Sequence, residues 1–462
     1  MMQRVHGSYA LAIMFQDDID AIWLAKKDSS MFVGEAEDGY LAASDWGTIK
    51  AYANVCYIMD NYEIAKLSQN NIVFYNGKGE EVNKERKFFS QTNDIIKKGK
   101  FKHFMLKEIY EQPYVVDKII NSFFVDDKTH LKFKDLEDFD LSGIKKITMI
   151  GCGSSFYAAC LGKCVIEEFA KIPVRVELSS EFLCHNHIYE EGEVVIAISQ
   201  SGETFDTLAA LKLVKDYNIR TLAITNVCNS SIALTADNVI YTKAGPEIAV
   251  ATTKVFNAQL IICYLLAIKI ADVNNVIDKK YYFELVNELK TLPAKIKTIL
   301  SINNSHHIQR VASKIYNAHD VYFTGRGIDY FIALESSLKM KEVTYIHAEA
   351  YAAGELKHGP ISLIEKGTIV IGILTQEDLI EKTIMNLSEV RSRGANLIVF
   401  SIIKNDKLEE IAEEVIYIPQ TTKFFMPSLA IVFMQLLAYW VARKKGTNID
   451  APRNLAKSIT VE

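Results

Sequence analysis

No Cys-x-x-Cys occurs in this sequence, and its seven cysteines are odd in number. That pattern argues against a secreted disulfide framework and fits reduced thiols in a cytoplasmic protein. There is no excess of basic charge either. The 52 Lys and Arg face 57 Asp and Glu, for a net charge of −5 and a pI near 6.1. Nothing there draws the chain to nucleic acid. The opening MMQRVHGSYALAIMF leads into too short an apolar stretch for a secretory leader. The most apolar late run, 426–442, is interrupted by Pro427, Ser428 and Gln435. It reads as a buried core helix, and no membrane partner is expected. At 462 residues and 49% apolar composition, the chain is expected to form two to four ordinary globular domains.

What the sequence does have is centred on VVIAISQSGETFDTL, residues 194–208. A β-branched run, 194–198, reads as a buried strand. Phe205, Leu208, Leu211 and Val214 then recur at helical spacing. Between them lies Ser199-Gln200-Ser201-Gly202-Glu203-Thr204. Hydroxyls, an amide and a glycine at a helix N-terminus form a cradle suited to phosphate. The plainer role for any one of these serines is helix capping. Glu203 is expected to point outward.

The strand–turn–helix pattern is duplicated. Gly151 and Gly153 recur as Gly325 and Gly327. At nearly the same offset, the strand before Ser199 recurs before Thr375. Val239-Ile240-Tyr241 recurs as Val415-Ile416-Tyr417, and Gln259-Leu260 as Gln435-Leu436. Such alternation implies an α/β fold with parallel sheets sandwiched by helices and ligands at the strand carboxyl ends. The copies differ at the key turn. Copy two has Leu374-Thr375-Gln376-Glu377-Asp378, whose acids would repel phosphate. Neither glycine turn completes a dinucleotide fingerprint, because Phe156 and Tyr330 stand where a third glycine belongs. No nicotinamide cofactor, and no other cofactor, is expected. His306-His307 and His185-x-His187 read as solvated or structural, with no metal site. Residues 1–90 carry short strand signals and the hairpin turns Asn76-Gly77 and Lys78-Gly79, but look too short and one-sided to close a core. A helix is expected from MLKEIYEQP to about Phe124, followed by an acidic surface stretch (DDK, then KDLEDFDL).

These motifs carry a resemblance. Gly-x-Gly-x-Ser followed by Ser-x-Ser-Gly-x-Thr resembles sugar isomerase (SIS) domains. Two in tandem, with HAEAYAAGELKHGP at 347–360, EIAVATTKVF at 247–256, MLKEIYEQP at 105–113 and PRNLAKSITVE at 452–462, resemble the glucosamine-6-phosphate synthase family. The resemblance implies a remnant of a glutaminase domain at 1–90, a linker at 91–107, SIS domains at 108–285 and 286–449, and a catalytic tail at 450–462. It implies amination and isomerisation of fructose-6-phosphate to glucosamine-6-phosphate. Ser155, Ser199, Gln200, Ser201 and Thr204 match phosphate-binding positions, and Val250 and Thr252 match sugar contacts. Glu342 matches the acid/base, His358 the ring-opening group supplied by a neighbouring subunit, and Lys457 the Schiff-base lysine. Lys339, one turn before Glu342 on the same helical face, is expected with these among the catalytic residues, although without the resemblance it would read as half of a surface ion pair. The family's N-terminal cysteine nucleophile has no counterpart here, since the chain begins Met1-Met2 and Cys56 reads as a core thiol. Glutamine use is therefore expected to be lost, or supplied by a separate glutaminase chain. Expected partners are fructose-6-phosphate or glucose-6-phosphate and a second copy of the chain, as a homodimer or higher oligomer. A SIS isomerase, a deaminase and a non-catalytic sugar-phosphate sensor are the alternatives.

Overall fold

The structure, a computed structural model, describes residues 4–44, 48–49, 52–88, 97–124 and 130–460. The acidic stretch at 126–128, the first three residues and the last two lie outside them.

The N-terminal unit contains β1 (Tyr9–Phe15), β2 (Asp18–Lys27), β3 (Phe32–Ala36), β4 (Gly39–Ala43), β5 (Val55–Ile58), β6 (Ile64–Ser68), β7 (Asn71–Tyr75), β8 (Glu81–Val82) and β9 (Lys87–Phe88). They form two antiparallel sheets, ordered β1-β2-β6-β7-β8 and β4-β3-β5-β9. Contrary to the expectation of a one-sided segment, the sheets close a core between them. Leu24, Ala65, Leu67 and Phe74 from the first meet Val33, Val55 and Tyr57 from the second. The other face of the second sheet buries Phe32 and Cys56, with Val227 of the next unit against them. The turn after β7 forms as its residues predict. Asn76 accepts from the amides of Lys78 and Glu80, and Gly79 takes a φ of 83°.

Helix Phe104–Ser122 follows. The 134–141 stretch is not simply surface, since Leu136, Phe139 and Leu141 are buried in the main core. Only the acids between them stay out.

Two parallel sheets then repeat one topology. The first contains β10 (Lys146–Gly151), β11 (Val174–Leu178), β12 (Glu193–Ser199), β13 (Arg220–Thr225) and β14 (Asn238–Tyr241), ordered β11-β10-β12-β13-β14. The second contains β15 (Asp320–Gly325), β16 (His347–Ala352), β17 (Ile369–Leu374), β18 (Asn396–Ser401) and β19 (Glu414–Tyr417), ordered β16-β15-β17-β18-β19. Strands covered on both faces need continuous apolar sequence, and every residue of β12 and β17 is buried. Equivalent turns match in detail. Gly153 and Gly327, before helices Ser154–Ala170 and Ile328–Thr344, have φ of 53° and 56°.

Helices Lys254–Val273 and Met426–Lys445 are long and apolar enough to cross a membrane by length and composition, yet each is 89% buried inside the protein. Several of their polar side chains join a relay of amides with Gln112 of helix Phe104–Ser122. Gln112 donates to Gln435 (2.8 Å), Asn257 to Gln112 (3.0 Å) and Gln435 to the Thr253 carbonyl (3.1 Å). Buried amides are tolerated only when satisfied in this way. Gln435→Leu removes one bond from Gln112 and one from the Thr253 carbonyl, leaving Gln112 with the Ile109 carbonyl and Thr253 with the Asn257 amide, and should lower the unfolding free energy by about 1–2 kcal/mol. Urea denaturation giving an unchanged midpoint would show that this amide relay contributes nothing.

Candidate active site

The carboxyl end of β12 delivers Ser199 to a turn that leads into helix Phe205–Asp216. Ser199 Oγ lies 2.9 Å from Thr204 Oγ1 and accepts the Gly202 amide, while Ser201 Oγ accepts the Glu203 amide. Gln200 is half-buried, and its carbonyl accepts from the Asn226 amide. Gly202 is required there. Its φ is 68°, and a Cβ would meet Ser230 Oγ at 1.9 Å. Ser155, 8% exposed at the start of helix Ser154–Ala170, accepts from Gln259 at 3.1 Å.

Glu203 does not point outward. It is 2% exposed. Its carboxylate accepts from Ser30 Oγ of the N-terminal unit (2.6 Å), from Ser231 Oγ (2.6 Å) and from the Ser231 amide (2.8 Å). Burial raises its pKa against the pull of those bonds. Turned away in this manner, the charge does not face the hydroxyl cluster.

Copy two is filled from within. Asp329 follows Gly325 and Gly327 as Ser155 follows Gly151 and Gly153, so it occupies the equivalent helical turn. It accepts from the Thr375 amide at 2.8 Å and from the Thr375 hydroxyl. Burial pushes this carboxyl up to about 7, although the bonds from Thr375 and Gln376 hold it down. The acids Glu377 and Asp378, with Thr375, Thr422 and Lys423, line an open cleft outside it.

The C-terminal tail runs from the Val250 loop to the start of helix Phe205–Asp216. The Asp450 carbonyl accepts from the Val250 amide, and the Ile459 carbonyl accepts from the Phe205 amide at the helix start, both at 2.9 Å. Between them Lys457 donates to Glu247 and to the Ala249 carbonyl, each at 2.8 Å. Glu247 also accepts the Thr253 and Val255 amides at the start of helix Lys254–Val273. Burial would raise its pKa, but Lys457 and the amides outweigh that and lower it. Val250 and Thr252 are half-buried in the same loop.

Helix Ile328–Thr344 brings three ionisable side chains beside copy one. Lys339 is not a surface residue but wholly buried, 2.5 Å from Glu342 and 3.6 Å from Glu335. Burial disfavours its charge, but Glu342 and Glu335 more than compensate and raise its pKa. Glu335 accepts from Ser154 Oγ of copy one at 3.0 Å, and burial pushes it up to about 8. His358 stands apart, exposed at the end of the 3₁₀ turn Ala353–His358. Among the described residues no hydrogen bond or ion pair joins it to Glu342, Lys339 or Lys457.

Sequence reading missed Glu108, Glu247, Asp329 and Glu335. Two of them lie inside the quoted motifs, and Asp329 lies at the repeat offset from Ser155. Glu177 of β11 comes together with His185 and His187, with potential ligand atoms within 4.8 Å of one another. Glu177 is already paired there with Arg175 and His185.

The SIS domain family matches this chain twice, at residues 140–269 and 314–444. The whole chain is 43% identical, over 463 residues, to the glutamine–fructose-6-phosphate aminotransferase (isomerizing) of Caldanaerobacter subterraneus subsp. tengcongensis, spanning 76% of that protein. This chain belongs to the glutamine–fructose-6-phosphate aminotransferase (isomerizing) family. The aminotransferase of Clostridium tetani is 41% identical, again across all of this chain and 76% of its own length. Among solved structures, the C-terminal domain of glucosamine-fructose-6-phosphate aminotransferase from Francisella tularensis superposes with a TM-score of 0.72 at 36% identity, covering 77% of this chain and 100% of that one. The aminotransferase family match therefore includes both parallel sheets and extends through the N-terminal β unit.

Asp329 gives the second copy a pH signature. The folded protein retains a proton there to about pH 7, whereas the ordinary value is 3.8. The folded state thus binds more protons between those values, and this group's contribution makes stability fall as pH rises from about 4 to about 7. Asp329→Asn should remove that slope, an effect on the order of a few kcal/mol across the window. Denaturation of both proteins at several pH values tests this, and parallel curves would refute it.

Proposed function

We propose that this chain aminates and isomerises fructose-6-phosphate to glucosamine-6-phosphate in the cytoplasm. The observation that carries the reading is the path of the tail. It ties the Lys457 amine to Glu247 and, two residues on, joins the Phe205 amide at the end of the hydroxyl-rich turn.

In this reading Ser155, Ser199, Gln200, Ser201 and Thr204 hold the sugar's phosphate, where amide and hydroxyl donors and the helix dipole favour an anion. Val250 and Thr252 line the sugar chain. Lys457 stores its proton as an ammonium in the Glu247 cradle and must release it to attack the C2 ketone. Carbinolamine collapse expels water and leaves an imine. Ammonia then displaces the lysine from C2, leaving a free ketimine. Glu342 removes a proton from C1 to give an enolamine and returns it to C2, while the C1 hydroxyl proton passes to the nitrogen, so C1 becomes an aldehyde and C2 carries the amine. Lys339, buried 2.5 Å from Glu342, fixes that carboxylate in place. His358, exposed in one copy, reaches the cleft of a second copy and opens the sugar ring there. A closed dimer is the assembly this requires.

Borohydride added with fructose-6-phosphate should attach the reduced sugar to Lys457, seen by peptide mass spectrometry, and ammonium should support hexosamine phosphate formation. Lys457→Ala should abolish both, a loss of about a thousandfold or more in rate. Turnover that survives this substitution would rule out the imine route. The shared site has its own test. Mixing His358→Ala and Lys457→Ala proteins should restore about a quarter of wild-type activity, because half the subunits in a statistical mixture sit in heterodimers with one intact site of two. Verified heterodimers without activity would place His358 outside the site.

A further inference from the structure

Glu108 is a buried carboxylate to which the chemistry above gives no task. It lies on helix Phe104–Ser122 and is 2% exposed. Its Oε1 accepts the Ile248 amide at 2.5 Å and the Ala249 amide at 3.3 Å. Its Oε2 is buried with no hydrogen-bond partner. The residues it grips sit between Glu247 and Val250, and the Ala249 carbonyl is one of the two acceptors of Lys457. One turn earlier, the first amides of the same helix, Phe104 and Met105, donate to the Asp450 carboxylate, each at 3.0 Å. Asp450 is the base of the tail and is itself bonded to Val250 through its carbonyl. One helix therefore fastens both the loop that receives Lys457 and the tail that carries it.

We propose that Glu108 is a positioning residue for Lys457, which acts by clamping the Ile248 and Ala249 amides so that the Ala249 carbonyl and Glu247 together hold the amine. This rests on the reading that Lys457 attacks the sugar. The clamp is electrostatically economical. Burial, reinforced by the Glu247 charge, pushes Glu108 up to about 8, while the Ile248 amide, Lys457 and Lys254 pull the other way. At neutral pH it accepts its two amides as an uncharged carboxyl and leaves Glu247 as the anion facing Lys457. Lys254 is meanwhile engaged by Glu111 at 2.8 Å. Above about pH 8 Glu108 ionises and adds a second negative charge to the loop that holds the Lys457 amine.

The experiment compares the full-length wild type with Glu108→Gln and Glu108→Ala. Acetic anhydride labelling of Lys457, followed by peptide mass spectrometry from pH 6 to 10, needs no sugar. Ammonium-dependent turnover gives kcat and KM for fructose-6-phosphate. Glu108→Ala should label several-fold faster at pH 7 and lose about tenfold to a hundredfold in kcat, with KM changed by less than about threefold. Glu108→Gln retains an acceptor and should restore both measures at pH 7. Above pH 8 its labelling should keep rising where that of the wild type levels off. Identical labelling profiles in wild type and Glu108→Gln, together with a Gln variant as slow as Ala, would overturn the proposal. If Glu108→Ala does not fold, the Gln variant's profile above pH 8 decides alone. Should no variant or wild type turn over sugar at all, the proposed function fails, while the labelling still reports on the clamp.

Discussion

Two stretches of twenty residues that are apolar on nearly every face can exist in water only if the rest of the chain surrounds them. Helices Lys254–Val273 and Met426–Lys445 impose that constraint, and much of the architecture answers it. The two parallel sheets, helix Phe104–Ser122 and helices Ser154–Ala170 and Ile328–Thr344 contribute to one continuous buried cluster around them. The repeats therefore do not fold as beads. They share a centre, and that is why Glu335 on a helix of one copy can bond Ser154 at the glycine turn of the other.

The repeated topology was legible because its signals are local. The β-branched run of β12, the helical spacing after Thr204 and the glycine turns each lie within a few residues, and the repeat offset compares one such window with another. The features that escaped are those made by distant partners. β3 runs straight through Gly34, where a Cβ would meet that of Ala53, a distant partner, at 2.7 Å. The N-terminal core depends on two sheets facing each other, a pairing that no single strand announces. Glu203 turns inward because Ser30, 173 positions earlier, is there to bond it. Lys339 shows its Glu342 partner at helical spacing, but not the copy-one helix that takes it out of water.

At the site, residue types were legible while their electrostatic setting was not. Hydroxyls in SQSGET and a lysine in the tail are visible in the letters themselves. That the lysine rests against a carboxylate held by two helix-start amides is a consequence of three segments, near residues 108, 247 and 457, meeting in space. The carboxylates Glu108, Glu335 and Asp329 are all pushed upward by burial, while Glu247 moves the other way because a cation and two amides converge on it. Depth alone does not set the sign; the partner does.

The presence of Asp329 where the first copy has a serine has a consequence for how a duplicated site is retired. A tethered carboxylate is present at its own cradle at an effective concentration in the millimolar range or far above. Free phosphates would have to displace that tethered group from the amide and hydroxyl of Thr375. A single codon could thus silence one of two equal sites without costing the fold its turn, since the amide and hydroxyl of Thr375 keep an acceptor. The cleft beyond, lined by Glu377 and Asp378, is left outside that self-filled cradle.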